Sequence, residues 1–198
     1  MMANTDKIKK LLDTMGPASR VNRTKIADYI IENENLFSAL IETIFETEYK
    51  YHHKAAWVLE LILDDNLEWI IPHLDFFTNN LSILKNQSAI RPASKICKWI
   101  AIAFDKKTIS KNELRKTHIE NIVEAGFDWL IENNKVATQA YSMSFLFLFG
   151  KQKKSNFNWI HKELKNILTQ NIPSESPAYK AQGKHVLKIM KKISLAQS

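Results

Sequence analysis

Lys180, Lys184 and Lys188 stand four residues apart, the spacing that places side chains on one face of an α-helix. Ammonium groups held in such a row attract phosphates, or the carboxylates of an acidic protein surface. Phosphate binding through them releases counterions, so its affinity falls steeply with salt. Lys162 and Lys165 lie upstream in the same lysine-rich end, and these five are the candidate binding residues. Arg91, Lys95 and Lys98, spaced four then three, form a second row. Each row has a plain alternative, a solvated helix face with no ligand.

No other grouping converges on a reaction. His52, His53, His73, His118, His161 and His185 form neither a His-x-x-x-His pair nor an HExxH motif. Cys97 is the single cysteine, so neither an internal disulfide nor a zinc cluster is expected. In the apolar run KICKWIAIAF it reads as a buried, inert thiol. No Gly-rich phosphate loop, GxSxG or kinase-type signature occurs. Asp64 and Asp65 are adjacent carboxylates, but they fall at a helix end, where forming a turn is the ordinary role. No catalytic residue, metal ligand or cofactor is therefore assigned. The five tryptophans are expected in the core, Trp69 and Trp159 beside buried anchors and Trp57, Trp99 and Trp129 on largely apolar helices. The other reading of such aromatics is a stacking surface for bases.

The elements that must position these residues are helical. Of 198 residues, 45% are apolar, with ten Phe, and only four are Gly and five Pro. That is ample core material and a low count for a chain of many tight β-turns, and the length suits one domain. The N-terminus has no long apolar h-region and no stretch approaches the ~20 uncharged apolar residues of a membrane span, so a reduced, cytoplasmic setting away from membranes is expected. Net charge is +7 but unevenly placed. Residues 31–80 hold ten acidic side chains against Lys50 and Lys54, whereas residues 151–198 hold ten Lys against Glu163 and Glu175. Such a gradient can orient a partner.

Helix signals come in pairs. Asn22 is expected to cap one helix and Asn35 to precede the next. Pro72 marks a kink or a true start, and Ser88 is expected to cap a helix with Pro92 in its first turn. Ser110 with Glu113 reads as a capping box opening a helix through Ile119, Val123 and Phe127. Residues 106–108 read as a flexible loop. Gly150 suits a left-handed C′ position, and Ser176 before Pro177 opens the last helix.

The second helices of these pairs share a register. Phe37, Ile41 and Ile44 have spacings of four then three, repeated by Ile70, Leu74, Phe77, by Val123, Phe127, Leu130 and by Ile160, Leu164, Ile167. In the first helices, small Ala56, Ser94, Ala140 and Gly183 take one position and Leu59, Cys97, Met143 and Val186 another. Equivalent positions recur at intervals bracketing the ~40–47 residues of HEAT and armadillo units. HKAAWVLELI followed by LEWIIPHLDFF resembles a HEAT-type pair, as does VATQAYSMSFLFLFG followed by NWIHKELKNIL. Over residues 23–193 the chain is thus similar to the HEAT/armadillo-like helical-repeat family.

That resemblance implies an all-α fold, an α-α superhelix (solenoid) of stacked antiparallel helix pairs within one domain. The pairs would span roughly 22–48, 50–84, 88–133 and 135–171, with a C-terminal capping helix at 177–193. It also implies a scaffold whose second helices line a groove, so the leading expectation is a non-enzymatic interaction module for a protein partner. The alternative is a basic HEAT-like protein that binds nucleic acid through its C-terminal end. Among HEAT-like proteins, DNA alkylation-repair glycosylases use Trp and Asp around the damaged nucleotide. Asp128 and Trp129 are adjacent here, although no catalytic role is carried over. Small helical chains resembling this one are also labelled adenylosuccinate lyase. That enzyme's Ser-rich GSSxMPxK-like loop has no counterpart here, PSESP at 173–177 being the longest Ser-containing stretch, so this reading ranks last.

Overall fold

Apolar residues recurring every three or four positions bury one face only when the backbone is helical, and the computed structural model follows that pattern. It describes residues 2–17, 19–132, 135–151, 157–173 and 175–195, and among these ten α-helices and three short 3₁₀ segments form with no β-strand. No helix among them is long and apolar enough to cross a membrane. The chain divides into two units, 1–96 and 97–198. The division falls inside the sixth helix, α6 (Gln87–Asp105).

In the first unit α1 (Met2–Asp13) packs on α3 (Phe37–Phe45), while α4 (His52–Asp65) packs on both α2 (Arg20–Ile31) and α3. The anchors Phe37, Ile41, Ile44, Ile70, Leu74 and Phe77 are all buried. Pro72 lacks an N–H and disfavours α geometry before it. The segment Leu67–His73 accordingly tightens into a 3₁₀ helix, and α5 (Leu74–Asn79) starts only beyond it.

Helix α1 lies outside the expected pairs, yet Ile8, Leu12 and Met15 are buried. Carbonyls at a helix C-terminus have no partner within the helix, and Tyr49 and Lys54, just before and within the first turn of α4, supply partners for α1. The buried Lys54 ammonium donates to the Leu12 carbonyl at 2.9 Å. The Tyr49 hydroxyl lies 2.8 Å from Asp13 Oδ1 and 3.0 Å from the Lys9 carbonyl. Burial and the Asp13 carboxylate push this hydroxyl well above the usual tyrosine range. His52 Nδ1 meets the Ile44 carbonyl near the end of α3 in the same way, at 2.9 Å.

Two caps differ from expectation by tertiary detail. Ser19, not Asn22, caps α2: its Oγ accepts from the Asn22 N–H at 3.2 Å, while the Asn22 amide donates to the Pro17 carbonyl. At α6 the side chain of Asn86 accepts from the Ser88 N–H at 2.9 Å. The helix therefore begins at Gln87, and Pro92 falls in its second turn rather than its first. A proline there cannot donate to the carbonyl four residues back. The indole N–H of Trp57 does so instead, 2.9 Å from the Ser88 carbonyl.

In the second unit α8 (Val136–Gly150) is packed by α7 (Lys116–Ile131), α9 (Asn158–Asn171) and α10 (Pro177–Leu195), and α9 also meets α10. A helix covered on several sides can be apolar nearly all round, which accounts for SFLFLF: Phe145, Leu146 and Phe149 are buried. Gly126 of α7 lets the Phe145 ring approach, since a Cβ there would lie 2.3 Å from it. Gly150 has no left-handed φ, contrary to expectation. Its role is also close approach, because an added Cβ would meet His161 at 2.4 Å. His161 Nε2 donates to the Phe147 carbonyl at 2.9 Å and its ring stacks on Phe147. In the small-residue series Ala56, Ser94 and Gly183 are buried, but Ala140 is only half-buried.

The Ser110–Glu113 capping box forms reciprocally, at 2.7 and 3.3 Å. It closes a single turn, however, and α7 starts afresh after the extended Arg115, whose N–H donates to His118 Nδ1. Residues 106–108, expected as a loop, close α6 as a Schellman turn: the Thr108 N–H donates to Ala103 and the Lys107 N–H to Phe104. Lys107 occupies the left-handed position, φ 63°, where glycine is usual and a side chain costs roughly 1–2 kcal/mol. Cys97, on α6, is completely buried, and burial pushes its thiol well above the usual cysteine range.

Candidate interaction surfaces

The two basic rows have different fates. Arg91 and Lys95 do not face solvent alone: Arg91 Nη2 and Lys95 Nζ each lie 2.9 Å from a different oxygen of Glu60 on α4. Lys98, in the second unit, sits over the Tyr141 ring at 5.4 Å. This row is taken up by internal partners.

On α10 the inward face is set by Tyr179, Gly183 and Val186, all buried. Turning away from that face by about 100° per residue puts Lys184 and Lys188 outward, with Lys191 and Lys192 completing the row. All four are exposed, whereas Lys180 is half-buried at the flank. On α9 Lys162 and Lys165 are exposed, opposite the buried Ile160, Leu164 and Ile167. Among the described residues no carboxylate comes within 4 Å of these lysines. Lys192 continues the four-residue spacing beyond Lys188 and Lys191 lies three beyond it, so both share this face.

The tryptophans correct the expectation of a wholly internal set. Trp129 is buried, and Trp57, Trp69 and Trp99 are half-buried. Trp159 is 51% exposed. It adjoins the buried Ile160, but one residue along a helix turns the side chain off the inward stripe. Phe127, expected as an anchor, is also only half-buried. The two rings stack at 5.6 Å with 25° between planes, and Ile131, one turn beyond Phe127 on α7, is 64% exposed.

Carboxylates border this apolar patch. Glu120, Glu124, Asp128 and Glu132 follow one another at four-residue spacing and are all exposed. Glu120 pairs with Lys116 at 3.3 Å. The spacing is visible in the sequence, and the exposed Asp128 adjoins the buried Trp129. That neighbour faces the opposite way, into the core.

Five of the six histidines are wholly or partly buried, and His185 on α10 is exposed. His161 and His73 are held below the ordinary value of 6.5 chiefly by burial, and His53 by burial with His52 and Lys54 beside it. Among the described residues no three His, Cys, Asp or Glu side chains gather as metal ligands. No protein-family model, curated protein or solved structure matches the chain.

Proposed function

We propose that this chain is a non-enzymatic helical-repeat interaction module of the HEAT/armadillo type, and that a basic amphipathic segment of a protein partner docks on the Trp159–Phe127–Ile131 face. The repeat reading is supported within each unit by packing of alternate helices, α1 on α3, α2 on α4 and α8 on α10. The observation that carries the docking reading is the aromatic stack left open to water on α7 and α9. Apolar patches rimmed by charge are characteristic of interaction sites, and aromatic residues are preferred at their centres. The row Glu120, Glu124, Asp128 and Glu132 selects a cationic partner, since like-charge juxtaposition across an interface is costly.

Titration with a synthetic Leu/Lys amphipathic helix, followed by Trp fluorescence, tests this. Binding is expected for that peptide and not for its Leu/Glu counterpart, and Trp159→Ala or Ile131→Glu abolishes it without lowering the unfolding midpoint. Equal binding of both peptides, or binding that survives Trp159→Ala, sinks the proposal.

A second reading rests on the lysines of α9 and α10, which have no carboxylate within 4 Å among the described residues. They favour an anionic partner, of which a nucleic-acid backbone is one. Its signature is a gel shift at low salt that disappears in the Lys184→Glu, Lys188→Glu double variant. No shift at low salt removes it.

A further inference from the structure

A pocket of about 650 Å³ opens in the second unit, within the range usual for small-molecule sites. Phe104, Ile109 and Ile193 give it an apolar wall, and Lys107, Lys111 and Lys151 line its polar side. The carboxylate in the lining, Asp105, is already engaged, with Lys151 Nζ 2.7 Å from its Oδ2. Lys107 and Lys111 remain exposed, with no carboxylate within 4 Å among the described residues. The pocket therefore holds an excess of two positive charges beside an apolar wall.

Lys107 is also the sole non-glycine residue with positive φ among the described residues. The turn needs only backbone hydrogen bonds from residues 107 and 108, which glycine would make without strain. A strained residue beside a pocket is the type of outlier that points to function. We propose that this pocket binds a small organic anion. Its phosphate, sulfonate or carboxylate group lies between the Lys107 and Lys111 ammoniums, and its apolar or aromatic body rests on Phe104, Ile109 and Ile193. This site is separate from the aromatic docking face and does not depend on it.

The test uses 8-anilinonaphthalene-1-sulfonate, an anion with an aromatic body, titrated against the full chain and followed by fluorescence and calorimetry, with inorganic phosphate as competitor. One site per chain is expected, weakened by phosphate. Lys107→Gly separates folding from binding: the melting temperature rises by roughly 2–4 °C as strain is relieved, while affinity falls roughly tenfold. Lys111→Gln weakens binding similarly with the melting temperature unchanged, and the exposed Lys25→Gln in the first unit leaves both unchanged. No stoichiometric binding, or full affinity in both pocket lysine variants, overturns the proposal. So does a loss confined to Ile193→Asp, since charge would then play no part.

Discussion

Arg91–Lys95 on α6 and Lys184–Lys188 on α10 are the same pattern, two cations four residues apart on a helix face, and the fold treats them oppositely. The α6 pair closes on one buried carboxylate, Glu60, which lies 31 and 35 residues away in sequence. The α10 pair faces water, joined by Lys191 and Lys192. Spacing reports which charges share a face. It does not report what the face meets, because that depends on which helix packs opposite. A buried Glu requires compensation, so Glu60 consumes one basic row for folding and leaves the other available to a ligand.

The sharpest way to break this contrast is Glu60→Ala. It removes the carboxylate that Arg91 and Lys95 share and should cost about 2 kcal/mol in urea unfolding, below the 3–5 kcal/mol of fully buried pairs. The reduction reflects the two cations, whose side chains remain 31% and 27% exposed. An unchanged midpoint would mean that the Glu60 cluster is as dispensable as a surface pair. Trp57→Phe tests the neighbouring contact of the same two helices. Loss of the indole N–H leaves the Ser88 carbonyl unmet, for about 1 kcal/mol, measured by the same unfolding curves.

Acid should act more gently and in both units. His53, His73 and His161 have folded values lowered from 6.5, so the unfolded chain binds more protons near and below that pH. Their contribution is complete above pH 6.5 and is lost as pH falls from there through the folded values. The urea midpoint should decline over that interval, and His161→Asn should flatten the slope. Smallest of all is Lys184→Glu with Lys188→Glu, expected to shift stability by no more than about 0.5 kcal/mol. A larger loss in thermal melts would show that the α10 row, too, has an internal partner.

What the sequence made legible was local. The anchors Phe37, Ile41, Ile44, Ile160, Leu164 and Ile167 are buried as their spacing required, and Ser176 caps α10 with its Oγ 3.3 Å from the Tyr179 N–H. What was hidden depends on residues far apart in the chain. Trp159 belongs to a periodic apolar set, yet only the position of Phe127 shows that it stacks on the outside. Pro92 fits within α6 because Trp57 takes the carbonyl that proline cannot reach. Gly150 reads as a stop and serves instead as clearance for His161. Helix α1 gives a weak sequence signal because Ile8, Leu12 and Met15 are the buried anchors of a stretch rich in Lys and Asp. Of the five candidate lysines, Lys162, Lys165, Lys184 and Lys188 are exposed as a ligand would need, and Lys180 is half-buried.

The complete enclosure of Cys97 has a practical outcome. The chain has one sulfhydryl, and alkylating reagents can reach it only during excursions that part its neighbours. Maleimide capture, followed by intact mass, thus becomes a clock for local breathing around α6. Each chain reports at a single position, with no engineered label and no background from other thiols.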